Sequence, residues 1–234
     1  GPGQGFARFG QRRCGLLQRP TLPVIRGFVM SVSVTYDPIF GSSTIDDYLA
    51  FWTTGFATAG HGQSNTGGFS NGTFSGDQYA TSGANGSDYA FIADSDTSNG
   101  LNYVFNPLLP ASSNQNHYLY GELDNVSLGE VLGGGSGSDF TLSNYVVTFS
   151  GLDLSAAFGA GRVGNEVHET IYGLMQGNTA PLESVLDDLF AAYGVSTDDT
   201  FDVVAAALTA GPLSTGSAEL IGVPELVDDL ALAA

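Results

Sequence analysis

The chain has 234 residues, 42% of them apolar, which is enough for one hydrophobic core. It contains no lysine, and its six arginines are Arg8, Arg12, Arg13, Arg19, Arg26 and Arg162. Because all 24 acidic residues follow Met30, residues 30–234 set one arginine against 24 acids, a formal charge of −23. Such a surface excludes nucleic acid as a partner, since phosphate binding needs clustered cations. No apolar run approaches the ~20 residues of a membrane-spanning helix, so no membrane insertion is expected. The one cysteine, Cys14, leaves residues 30–234 without a disulfide framework or thiolate metal site.

Residues 1–29 are Arg-rich, acid-free and without hydrophobic periodicity. Their opening Gly-Pro has the form of a protease scar, and the segment is read as a non-native or mis-started extension, expected to be disordered. Val32, Val34 and Tyr36 alternate with polar residues as a first strand, which Asp37-Pro38 ends. A helix over 43–57 places Ile45, Tyr48, Leu49, Trp52 and Phe56 on one face, with Ser43 or Thr44 as cap. Residues 58–71 are rich in Gly, Ser, Asn and Thr, and hold His61 between two glycines on a predicted loop.

Short strands follow at 68–74, 78–81, 88–92, 101–105, 118–123, 126–128 and 145–150, separated by Gly-, Asn-, Asp- and Ser-rich turns. Within them, Tyr103 ends one apolar strand and His117 precedes the next, so the two side chains can meet across the mouth of a hairpin. Two readings of that meeting stand side by side. One is a surface hairpin with a structural tyrosine. The other is a site for ferric iron, a hard cation that favours phenolate oxygen, with an imidazole N–H fixing the phenolate's direction.

The segment from Gly134 to Asp139 matches the start of a calcium β-roll repeat, but a β-roll needs several stacked repeats. It is read as a turn. Beyond it the periodicity becomes helical. Val167, Ile171, Leu174 and Met175 share one face, and His168, Tyr172 and Met175 form an i, i+4, i+7 stripe, a pattern more typical of a core than of a cofactor site. A helix opens at Thr179-Ala180-Pro181 and stops at Gly194, and another covers 200–210. Strands followed by helices make an α+β fold: a curved antiparallel β-sheet with α-helices packed on one face.

Several stretches together resemble one family, the secreted bacterial haemophores called HasA. The anchors include Asp47-Tyr48-Leu49 with Trp52 and Phe56, Asn65-Thr66-Gly67-Gly68-Phe69, Gln78-Tyr79-Ala80, Ala90-Phe91-Ile92-Ala93, Tyr120-Gly121-Glu122-Leu123-Asp124, Tyr172-Gly173-Leu174-Met175 and the closing Asp229-Leu230-Ala231-Leu232-Ala233-Ala234. Their order and spacing cover residues 30–234.

The resemblance implies an extracellular, non-enzymatic protein that takes one haem b, Fe(III) protoporphyrin IX, between two loops. It would draw haem from host haemoproteins and deliver it to a TonB-dependent outer-membrane receptor. Matched residue by residue, Tyr103 falls on the axial tyrosine, His117 on the histidine that hydrogen-bonds it, and His61 on the ligand of the opposite loop; Tyr172 and Met175 fall near the porphyrin. Residues 30–212 would form the haem-binding domain, and 213–234 the signal read by a type I ABC exporter. Two departures stand out: the segment after His61 is shorter than in relatives, which bears on its reach to iron, and the loop from Tyr103 to His117 is longer. With Arg162 as the only cation after Met30 apart from histidine, a basic clamp on both propionates is not expected. Two rival readings are a secreted calcium-binding adhesion module and a haem peroxidase, the latter needing a distal acid–base pair that three histidines supply poorly.

Overall fold

The computed structural model describes residues 31–56, 67–83 and 87–214, and the following account concerns these. Eight antiparallel strands form one sheet: β1 (Ser33–Tyr36), β2 (Gly67–Phe69), β3 (Ser75–Gly76), β4 (Gln78–Ser82), β5 (Tyr89–Asp94), β6 (Leu101–Val104), β7 (Tyr118–Gly134) and β8 (Phe140–Ala156). The main path runs β1-β8-β7-β5-β4-β2, with β6 pairing both β7 and β3. Four helices complete the fold: α1 (Ile45–Gly55), α2 (Glu166–Met175), α3 (Ala180–Phe190) and α4 (Phe201–Ala210).

The β7–β8 hairpin is the spine, each strand being 17 residues long. This differs from the expected separate strands at 118–123 and 126–128. The Asp-Asn step that reads as a turn in sequence is instead a register shift between Leu123 and Asn125 that the ladder absorbs. Strand β8 runs along one edge of β7, while the other edge is divided: Tyr118 to Gly121 pair β6, and Asn125 to Glu130 pair β5. The predicted turn at 134–139 closes the hairpin, where Gly134 takes a φ of 75° and a Cβ would meet the Asp139 carbonyl at 2.0 Å. Of the predicted strand over 68–74 only Gly68 and Phe69 are extended, in β2; a turn follows, and β3 begins at Ser75.

One sheet face carries the core. Phe91 and Ala93 of β5, Leu119, Leu123, Val126 and Leu128 of β7, and Val147 and Phe149 of β8 are buried against all four helices. Alternate residues face the other way, where Ala80, Ile92 and Phe140 form a smaller cluster. The helices start where their caps dictate. Thr44 Oγ1 accepts the Asp47 N–H at 3.0 Å, and Thr200 Oγ1 that of Val203 at 3.3 Å. In α1 the i, i+4 pair Trp52 and Phe56 stack at 4.5 Å, and the Trp52 indole donates to the Ala90 carbonyl at 3.2 Å, fixing α1 on β5.

Two predictions follow from this packing. Trp52→Ala empties a fully buried site and is expected to lower stability by about 3–5 kcal/mol in urea denaturation of the apo-protein. The second concerns pH. Burial raises the carboxyls of Asp46, Asp94 and Asp124 above the ordinary range, Asp94 despite hydrogen bonds from Gln78 and Asn125 that pull it down. The folded chain therefore binds protons that the unfolded chain releases, so unfolding free energy falls as pH rises through these raised values. Starting from the ordinary carboxylate range, the apo-protein's melting temperature should fall as pH rises through these raised values, and Asp94→Asn should flatten that slope; a melting temperature that climbs over that interval contradicts the assignment.

Candidate functional site

The site lies where the edge of β7 passes from β5 to β6. Gly121 permits this: its φ is 114°, and a Cβ there would come within 1.8 Å of the Gly100 carbonyl oxygen, so a side chain would push β6 off its partner. The β6–β7 ladder ends with Tyr103 opposite Leu119 and Val104 opposite Tyr118, and residues 105–117 leave it as a loop. Tyr103 and His117 thus flank the loop's mouth, and the phenol oxygen is 2.5 Å from His117 Nδ1. The Phe74 ring leans on Tyr103 at 5.8 Å and Phe105 on His117 at 5.2 Å.

Helix α2 supplies the facing wall. The buried Asn165 caps it, accepting the His168 N–H at 3.0 Å, while its amide donates to the Leu119 carbonyl at 2.8 Å. The Leu119 N–H in turn donates to His168 Nδ1 at 3.2 Å, which places the His168 proton on Nε2 in the neutral ring. His168 stacks on Tyr172 at 5.2 Å, and the Tyr79 hydroxyl donates to the Met175 sulfur at 3.4 Å. Taken alone the stripe reads as core while the family resemblance puts Tyr172 and Met175 near the porphyrin; in the structure His168 is buried and all three line the cleft.

These elements enclose a cleft of about 510 Å³. Its walls are apolar and aromatic, built from Phe69, Phe74, Tyr79, Leu119, Tyr172 and Met175, with Tyr103, His117, His168 and Arg162 as its polar members. That composition suits a flat, largely apolar ligand fixed by a few polar atoms. Sequence reasoning reached Tyr103, His117, Tyr172 and Met175 but not Phe69, Phe74, Tyr79 or Leu119. Phe69 and Tyr79 are registered partners across β2 and β4, a pairing that a single strand over 68–74 hides. His61 lies outside the described residues, in the segment immediately before β2, whose Gly68 and Phe69 line the cleft.

The electrostatics concern Tyr103 above all. Burial raises its phenol above the ordinary value, and the Arg162 guanidinium pulls the other way. Arg162 is held in place, donating from Nη2 to the Ser113 carbonyl at 2.7 Å. The Tyr79 phenol, deeper in the cleft, is pushed up to about 12 by burial. At neutral pH, then, Tyr103 is a phenol within hydrogen-bond distance of His117 Nδ1, beside a cation that eases loss of its proton.

Comparison with known proteins decides the family. The model of Heme-binding protein A (HasA) matches residues 30–234. The chain belongs to the HasA family. Hemophore HasA of Serratia marcescens is 40% identical over 198 residues, spanning 82% of this chain and 99% of the relative. The apo structure of the hemophore HasA from Yersinia pestis superposes with a TM-score of 0.56 at 28% identity, covering 74% of this chain and 92% of that one. The holo hemophore from the same organism gives 0.57 at 27%, covering 74% and 95%. Membership makes this HasA-family chain a haem-binding haemophore, a carrier and not an enzyme, and displaces the adhesion-module and peroxidase readings. The α+β fold agrees with these relatives.

One expectation comes directly from the charges around Tyr103. In the apo-protein, ultraviolet difference titration against Tyr103→Phe should show this phenol ionising above the ordinary ~10, and Arg162→Gln should move it further up. A shift downward in Arg162→Gln contradicts the arrangement.

Proposed function

We propose that the cleft takes ferric haem b with Tyr103 as axial ligand to iron and His117 as the hydrogen-bond partner that tunes it. The observation that carries this reading is the 2.5 Å contact between phenol oxygen and Nδ1 at the rim of an apolar cleft. A phenolate is a hard anionic donor suited to Fe(III). Metal binding displaces the phenol proton, so the raised ionisation of Tyr103 is no barrier once iron competes for the oxygen. With the proton gone, the imidazole reverses its part and donates from Nδ1 to the phenolate, which fixes charge and direction. Phe69, Tyr79, Tyr172 and Met175 supply the apolar faces for the porphyrin.

Among the described residues Arg162 is the one permanent cation lining the cleft, and its guanidinium is engaged with Ser113, so the propionates belong at the solvent edge. An exposed edge suits a carrier that passes haem to another protein. On the family's pattern that protein is a TonB-dependent outer-membrane receptor, and the haem comes from host haemoproteins. His61 is the candidate second ligand on the opposite loop. Residues 213–234 are read as the tail recognised by a type I ABC exporter, which makes the protein extracellular. Protonation of His117 and return of that proton to the phenolate would weaken the iron–oxygen bond and release haem in acid.

Titration of apo-protein with hemin tests the ligand assignment. Tyr103→Ala should lose the wild-type spectrum and bind far more weakly, and His117→Ala should weaken binding by about 10- to 100-fold. A Tyr103→Ala protein that colours and binds as wild type does would overturn the proposal.

A further inference from the structure

Past Val104 and Tyr118 the β6–β7 ladder gives the chain no further registered pairs, so the backbone groups at the base of the 105–117 loop need other partners. They find them in one side chain. Asn116 is 1% exposed although its loop lies at the protein surface. Its Oδ1 accepts the N–H of Asn106 at 2.8 Å and that of His117 at 3.0 Å, and its Nδ2 donates to the carbonyls of Asn106 at 3.0 Å and Leu109 at 3.1 Å. A carboxamide has two lone-pair directions and two protons, and here all four are used. The amide joins the first residues of the loop to the last, taking the place of the next rung of the ladder.

His117 itself sits at φ 55°, a left-handed conformation that a side chain with a Cβ adopts only when its surroundings enforce it. Its N–H donates to Asn116 Oδ1 at 3.0 Å. The middle of the loop has a separate support: Asn114 Oδ1 accepts the N–H groups of Arg162 at 3.0 Å and Val163 at 2.9 Å. The two supports have different consequences. Asn114 keeps the loop against the chain that precedes α2, whereas Asn116 sets the backbone angle from which the imidazole points at Tyr103.

We propose that Asn116 is a positioning residue of the haem site: it holds His117 in the left-handed conformation that presents Nδ1 to the Tyr103 oxygen before haem arrives. The proposal rests on Tyr103 as iron ligand and deepens that reading. Asn116 touches neither phenol nor cleft, so its whole effect passes through His117. Losing it leaves His117 free to take an ordinary extended or helical φ, which swings the ring off the phenol.

The test is a double-mutant cycle in the full chain, read by hemin titration and by the pH at which bound hemin is lost. Asn116→Ala should weaken hemin binding about as much as His117→Ala, on the order of 10- to 100-fold, and move the acid-release midpoint in the same direction. The double variant should be no worse than His117→Ala alone, because residues acting as one unit are not additive. Asn116→Asp retains the two acceptor bonds and loses the two donor bonds; it should fall between wild type and Asn116→Ala, and it carries the test if the alanine variant fails to fold. Additive losses in the double variant, or a wild-type release midpoint in Asn116→Ala or Asn116→Asp, overturn the proposal. Tyr103→Ala, run alongside, separates the two levels. If it binds hemin as wild type does, the ligand assignment falls and this inference with it; if it loses hemin while the Asn116 variants release as wild type, only this inference falls.

Discussion

The contact between a phenol oxygen and an imidazole nitrogen, Tyr103 to His117, is the interaction to which the rest of the cleft is fitted. Neither residue is close to the other in sequence, and three separate devices bring them together. The β6–β7 register sets the distance across the mouth, Gly121 lets β6 approach the long strand, and the left-handed backbone at His117 turns the ring inward. Each device is a backbone constraint. The pair is therefore set by backbone geometry, two parts of it from the sheet and one from the loop end at His117, which is what a preorganised ligand site needs.

The surface charge shapes function in a second way. A chain with one arginine among 24 acids after Met30 is poorly equipped to ion-pair both propionates, so on the proposed reading affinity comes from iron ligation and from apolar contact with the porphyrin faces. The lone arginine after Met30, Arg162, sits beside the proposed ligand and lowers the cost of ionising Tyr103 against the burial that raises it. One guanidinium thus acts on the oxygen proposed to grip the iron, while its Nη2 braces the loop through Ser113.

Much of this was legible in the sequence, for reasons that differ by element. Helix α1 declares itself because Thr44 and the spacing of Ile45, Tyr48, Leu49, Trp52 and Phe56 give one consistent answer. The hairpin mouth is legible because alternation in β6 and at the start of β7 brackets a polar loop. The length of β7 is not, because Asp124-Asn125 has turn chemistry while the neighbouring strands on both edges override it with a register shift. Phe69 and Tyr79 escape notice because a cleft wall is made by pairing across strands, and no window of sequence contains both. His168 reads as core and is buried, yet it shares the cleft with Tyr172 because α2 crosses β7 at Leu119. Asn116 carries no sequence signal whatever; an asparagine in a polar loop is ordinary until its hydrogen bonds are seen.

The most direct test of the central claim is vibrational. Resonance Raman spectra of the hemin complex, taken with unlabelled and with ring-deuterated tyrosine, report whether a phenolate is bound to iron. The account predicts tyrosinate ring modes that shift on deuteration and vanish in Tyr103→Phe. Spectra without tyrosinate modes, or modes that persist in that variant, would contradict it.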